Sequence, residues 1–207
     1  MKYIFVAGAP GSKWSSVVKN IYYSPSIDRS DYSEDRLYYH DASGKLELMH
    51  LGAYFDPGME SNLPENLDEY SRTELEAVFD TPFKKDATGI RIIKSHIFSN
   101  NIDHLRRTFP EVPIVLVYRA DDACLGWWVK CGHFDITYPL YHSYYKDLRT
   151  MAGIIKQQNT GIVNATLSYP GQVPYDNKEL CGLLSIDTPP ENYGQVYEYA
   201  DVKVVVI

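Results

Sequence analysis

The sequence predicts an α/β protein, a three-layer fold in which a mainly parallel sheet is flanked by helices. Three observations predict it. Short apolar or β-branched runs at Tyr3–Ala7, Ile90–Lys94 and Ile114–Tyr118 alternate with segments of helical spacing. Each run leads directly into residues able to handle anions: Gly8 to Ser16, Lys94-Ser95-His96, and Arg119. In a parallel sheet, ligands bind beyond the C-terminal ends of the strands, so these three spots are expected to converge on one crevice.

The first strand, Tyr3–Ala7, opens a helix running from Ser15 to about Tyr22. From Ser24 to Ala87 the pattern breaks down: Pro25, Pro57, Pro64 and Pro82 interrupt it, acids are frequent, and apolar pieces such as Leu46–Leu51 are short. One helix is signalled there, by the capping box Ser71-x-x-Glu74 followed by Leu75, Val78 and Phe79. The rest of 24–87 reads as an irregular insertion that shapes a pocket, within a single domain spanning 1–207. Order returns with the strand Ile90–Lys94 and a helix from Asn101 to Thr108, which Pro110 and Pro113 stop. The strand Ile114–Tyr118 ends at Arg119, and Asp121 and Asp122 then cap a helix reaching Lys130 and neutralise its dipole. Tyr141, Tyr144, Leu148, Met151 and Ile155, three and four apart, form the stripe of a longer helix packed on the sheet. Gly161–Leu167 is predicted as a further strand, Lys178–Leu184 as a short helix and Val202–Ile207 as a terminal strand.

Composition narrows the function classes. A net charge of −7 and an isoelectric point near 5.3 argue against a nucleic-acid or anionic-membrane binder, because those bring a basic surface to the phosphates. No apolar run approaches the length of a membrane span and no leader-like start is present, so a soluble, cytoplasmic protein is expected. Cys124, Cys131 and Cys181 are sparse and odd in number, which argues against a disulfide framework. Cys124 and Cys131, two helical turns apart, would stand roughly 10 Å from each other, too far to bridge. Tyrosine is abundant, with 18 residues, and suits a core and surface that cover apolar area while keeping a wet hydroxyl.

Gly8-Ala9-Pro10-Gly11-Ser12-Lys13-Trp14-Ser15-Ser16 has the layout of a phosphate-binding loop, in which backbone N–H groups at a helix start face an anion while a lysine and hydroxyls complete the neutralisation. Pro10, Gly11, Ser12, Lys13, Trp14, Ser15 and Ser16 are the candidate nucleotide-binding residues. The loop departs from Gly-x-x-x-x-Gly-Lys-Ser/Thr: Ser12 precedes Lys13, and Trp14 separates Lys13 from Ser15. His96 is a candidate general base, since imidazole titrates near neutral pH. Lys94 and Lys13 can neutralise charge on a transferring group, and Arg119 offers a planar fork for bidentate phosphate recognition. His104, His133 and His142 lack such company and read as ordinary residues. No spaced His/Cys/Asp cluster would hold a metal firmly, and none is expected.

Ile90-Arg91-Ile92-Ile93-Lys94-Ser95-His96 resembles the Arg-Ile-Ile-Lys-Thr-His run of sulfotransferases that use 3′-phosphoadenosine-5′-phosphosulfate. Pro113-Ile114-Val115-Leu116-Val117-Tyr118-Arg119 resembles that family's later strand, whose arginine binds the 3′-phosphate, and Trp127-Trp128 falls near its aromatic pair. The three blocks stand in the family's order and cover about half of the chain. The resemblance implies a P-loop nucleotide-hydrolase-like fold and transfer of a sulfuryl group from 3′-phosphoadenosine-5′-phosphosulfate, without metal, to a hydroxyl or amine of a small-molecule or glycan acceptor. His96 would be the base, with Lys94 and Lys13 as electrostatic stabilisers. The segment 24–87 would shape the acceptor pocket, where Glu34, Asp35, Asp41 and Asp56 suit a cationic or polyhydroxylated acceptor. The chain also departs from the family: Gly11 stands at the loop's basic position, Trp127 at a serine that binds the 3′-phosphate, and the C-terminal Arg-x-Gly-x-x-Gly segment is absent. Two other functions are compatible with the same residues: a sulfotransferase-like nucleotide binder that has lost transfer, and a nucleotide or small-molecule kinase, since Gly8 to Lys13 also resembles the adenylate-kinase loop with one glycine missing.

Overall fold

The structure, a computed structural model, describes residues 1–35, 38–39, 46–47, 50–56, 63–130, 147–190 and 201–207. Among these residues seven strands, β1 (Tyr3–Gly8), β2 (Tyr38–Tyr39), β3 (Leu46–Glu47), β4 (Ala53–Tyr54), β5 (Arg91–Lys94), β6 (Ile114–Arg119) and β7 (Val202–Val206), form two sheets. The main sheet has the order β4-β5-β1-β6-β7; β2 and β3 pair with each other. β4, β5, β1 and β6 run parallel, and β7 closes the far edge antiparallel to β6. Six helices accompany them among the described residues: α1 (Trp14–Tyr22), α2 (Arg72–Phe79), α3 (Ile102–Thr108), α4 (Asp121–Lys130), α5 (Leu148–Ser168) and α6 (Asn177–Leu183).

β1 is central because every one of its residues is apolar or glycine, the composition of a strand covered on both faces. Alternation along it sorts the core into two clusters. Ile4 and Val6, with Ile92, Val115 and Val117, pack with Val17, Val18 and Ile21 of α1 and Leu180 of α6. Tyr3, Phe5 and Ala7, with Ile93, Ile114 and Leu116, pack with α2, α3 and a group of phenylalanines. Phe5 is the hub of that second cluster, its ring 5.4 Å from Phe98, 5.2 Å from Phe109 and 5.5 Å from Phe79, all edge-on.

One expectation is corrected. Gly161–Leu167 is not a strand but the last third of the 21-residue helix α5. Its β-branched residues suggest a strand locally, yet Met151, Ile155, Ile162 and Ala165 share one helical face, and that face contributes to both clusters. Gly161 makes this packing possible, since a Cβ there would lie 2.0 Å from the Ser99 carbonyl oxygen. Within 24–87 lie the predicted helix α2, the edge strand β4 and the buried Leu51, Leu63, Leu67 and Phe83. Tyr141, Tyr144, Cys131, His133, His142 and Asp41 lie outside the described residues.

The capping box at α2 is formed as predicted. Glu74 donates its N–H to Ser71 Oγ at 3.4 Å, and Ser71 donates its N–H to Glu74 Oε2 at 2.8 Å. Because Leu75 and Phe79 of this helix cover the Phe5 face, cap and core are linked. Ser71→Ala is expected to destabilise the fold by about 1 kcal/mol, read as a lower urea midpoint at unchanged slope. An unmoved midpoint would show that α2 is held by packing alone.

Candidate functional site

β1 ends at Gly8, and the chain then reverses through Ala9-Pro10-Gly11-Ser12, where the Ser12 N–H donates to the Ala9 carbonyl at 3.0 Å. Pro10 in the second place and Gly11 at φ +80° in the third are what a type II turn demands. Gly11 is also needed sterically, since a Cβ would stand 2.2 Å from the Cys124 carbonyl oxygen of α4. Lys13, at φ 65°, is the left-handed residue that starts α1, and the Ser16 N–H returns to its carbonyl at 2.9 Å. The loop is therefore a tight turn leaning on α4. Ser12 is fully buried, and its Oγ has no hydrogen-bond partner among the described residues.

The order β5-β1-β6 places this loop between the other two predicted blocks. On the β5 side, His96 Nδ1 is hydrogen-bonded to the Gly8 carbonyl oxygen. A carbonyl only accepts, so Nδ1 carries the proton and Nε2 is the imine nitrogen of the neutral ring. The imidazole stacks on Trp14, with ring centroids 4.0 Å apart and planes at 20°, while Tyr54 meets it edge-on at 5.7 Å. Lys94 is fully buried beneath, its Nζ 5.4 Å from the Trp14 and Tyr54 ring centroids. Ser15 and His50 border the same rings, Ser15 Oγ lying 3.5 Å from His50 Nδ1 and His50 stacking on Tyr54 at 4.9 Å.

On the β6 side, Arg119 donates Nη1 to the Gly11 carbonyl at 3.1 Å and Nε to Asp201 Oδ2 at 2.5 Å, so β7's neighbour is drawn to the loop. This contact holds the Asp201 carboxyl below its ordinary range. Lys13 Nζ lies 3.7 Å from the Trp127 ring centroid, with Lys130 at 5.6 Å and the Arg119 guanidinium at 6.0 Å from the same ring. The loop carbonyls thus bind both flanks together, but Lys13 and Arg119 gather at Trp127 while Lys94 and His96 gather at Trp14. Asp121 and Asp122 begin α4 as expected, and Asp121 Oδ1 also accepts from Asn159 of α5 at 2.7 Å.

Asp56, one of the acids that would suit a cationic or polyhydroxylated acceptor, is fully buried two residues past β4's Tyr54. Parallel pairing of Tyr54 with Lys94 carries it beside the turn after β5. Its Oδ1 accepts from Ser95 Oγ at 2.9 Å and the His96 N–H at 3.1 Å, and its Oδ2 accepts from the Tyr54 hydroxyl at 2.8 Å. Burial pushes its carboxyl up to about 7 against the pull of these hydrogen bonds. Glu34, another of those acids, pairs with Arg29 at 3.7 Å beside a cleft of about 430 Å³ that Asp31, Phe83 and Lys84 help to line. No signal in a two-residue edge strand could have announced Asp56, whereas Trp14, read as a departure from a motif, was visible as an aromatic directly behind the lysine.

Among the described residues no group of three or more His, Cys, Asp or Glu is arranged to hold a metal ion, and no helix is long and apolar enough to cross a membrane. No protein-family model matches the chain, and comparison with characterised proteins and with solved structures gives no match.

Proposed function

We propose that this protein transfers a sulfuryl group from 3′-phosphoadenosine-5′-phosphosulfate to an acceptor hydroxyl or amine. One observation carries the reading: the loop after β1 is bonded through its Gly8 carbonyl to His96 and through its Gly11 carbonyl to Arg119, so three blocks distant in sequence form one unit at the C-terminal ends of adjacent parallel strands. In the proposed step the acceptor oxygen forms a bond to sulfur as the bond from sulfur to the bridging phosphate oxygen breaks. The acceptor proton passes to His96 Nε2, and adenosine 3′,5′-bisphosphate leaves with the bridging oxygen's electron pair. Lys94 and Lys13 offset the negative charge that gathers on the sulfuryl group and the leaving phosphate. His96 is 3% exposed, so an acceptor reaches Nε2 only when the Trp14 and Tyr54 rings shift.

Calorimetric titration with adenosine 3′,5′-bisphosphate is expected to show saturable binding to the folded protein. Folded protein that gives no binding heat at several temperatures would sink the proposal. The burial of His96 and Lys94, together with the Arg119–Asp201 pair, favours a second reading, a sulfotransferase-like nucleotide binder without transfer. Nucleotide binding with no consumption of the sulfate donor across a broad acceptor panel would select it.

A further inference from the structure

We infer that Asp56 is a positioning residue for His96: it fixes the turn that carries the imidazole and supplies the counter-charge for the imidazolium formed when Nε2 takes a proton. This rests on the reading of His96 as the base. The geometry is specific. A carboxylate with two oxygens receives three protein donors, and two of them, Ser95 Oγ and the His96 N–H, belong to the turn after β5. The imidazole itself also approaches, with His96 Nε2 3.7 Å from Asp56 Oδ2. With Nδ1 held by the Gly8 carbonyl, the ring has one orientation and one tautomer, and its basic nitrogen lies on the Asp56 side.

Burying a carboxylate without a cation to compensate it is unfavourable, and such groups persist where the surrounding structure uses them. Among the described residues, the titratable and charged groups facing Asp56 are Tyr54 from its own strand and His96 from the neighbouring turn, and Lys94 lies against the same Tyr54 ring. Burial pushes the Asp56 carboxyl up and the imidazole lies 3.7 Å from it, so the charge on each group bears on the other. Ionised Asp56 favours the protonated ring, so His96 is a stronger base beside Asp56 than beside a neutral group.

The test reads His96 directly. In ring-15N-labelled protein, with the His96 resonances assigned by their loss in His96→Gln, the neutral wild-type ring is expected in the Nδ1–H form. Asp56→Asn is expected to lower the proton affinity of His96 by about tenfold or more, one pH unit in its titration midpoint. An unmoved midpoint in a folded Asp56→Asn protein would overturn the inference. Tyr54→Phe and Ser95→Ala keep it testable if Asp56→Asn does not fold. Each removes one donor from the carboxylate, raises its pKa and so weakens its hold on the imidazolium, giving a smaller shift in the same direction. No shift in either variant would overturn the inference as well. Because this measurement needs neither nucleotide nor turnover, the two ideas fail separately: a shifted His96 without nucleotide binding removes the transferase reading, and an unshifted one with measurable transfer removes Asp56.

Discussion

Replacing His96 with alanine is expected to lower sulfuryl transfer by about 10²–10⁴-fold while nucleotide binding persists. The binding groups proposed for the nucleotide, the loop from Pro10 to Ser16 and Arg119, are held by contacts of their own. The Ala9–Ser12 turn closes on itself, and Arg119 reaches Gly11 from the opposite side of the loop. The imidazole is also structural, since it donates to the Gly8 carbonyl and covers Trp14. Alanine therefore leaves a buried carbonyl without its donor and a gap beside an indole, and some loss of stability accompanies the loss of turnover. His96→Gln separates the two effects, because an amide can still donate to Gly8 but cannot act as a base near neutral pH. Steady-state rates and calorimetry on both variants settle the matter. Unchanged turnover in a folded His96→Gln protein removes the histidine from the mechanism, and loss of binding in both variants would assign it to the nucleotide site instead.

The alternation of strands and helices was legible because the runs at Tyr3 and Ile114 are near-continuous apolar strands, the pattern of a sheet buried on both faces, and the run at Ile90 is β-branched. Helix α2 was legible from a local device, its capping box. The 161–167 segment was misread because local propensity and tertiary packing disagree there. Ile162, Val163 and Thr166 favour a strand in isolation, but continuing the helix aligns Ile162 and Ala165 with Met151 and Ile155 and covers core on both faces of the sheet. β4 was illegible for the opposite reason. Two residues carry no periodicity, and their pairing with β5 is a property of the assembled sheet.

The site follows the same division. That Gly8 to Ser16, Lys94 to His96 and Arg119 would meet could be argued from topology, because each follows a strand of one parallel sheet. Which side chains would touch could not. The type II turn sends Lys13 toward Trp127 and away from the histidine, and Asp201, 82 residues from Arg119, takes one face of its guanidinium. Asp56, 40 residues ahead of His96, comes within 3.7 Å of its imidazole only because an edge strand delivers it there.

That delivery has a thermodynamic signature: the stability contributed by Asp56 is expected to fall as pH rises from about 4 to about 7. An unfolded chain releases the Asp56 proton near the ordinary aspartate value of 3.8, while the native state holds it until about 7. Within that window the native state binds more protons than the unfolded state, so the free energy of unfolding falls with each step up in pH and levels off above it. The contribution at stake is about 4 kcal/mol, or roughly 10 °C in melting temperature for a chain of this length. Other groups run the opposite way, since Glu74, Glu111 and Asp201 have lowered pKa values and lose stabilisation as pH falls. The measurement that isolates Asp56 is thus a difference: melting temperatures of wild type and Asp56→Asn at pH 4 through 8. Asparagine does not titrate, so whatever constant offset it introduces, the gap between the two curves should shift in favour of the variant by the full amount between the two pH limits. A pH-independent gap would mean that the carboxyl is ionised throughout, stabilised by its three donors and the imidazole strongly enough to cancel the penalty of burial.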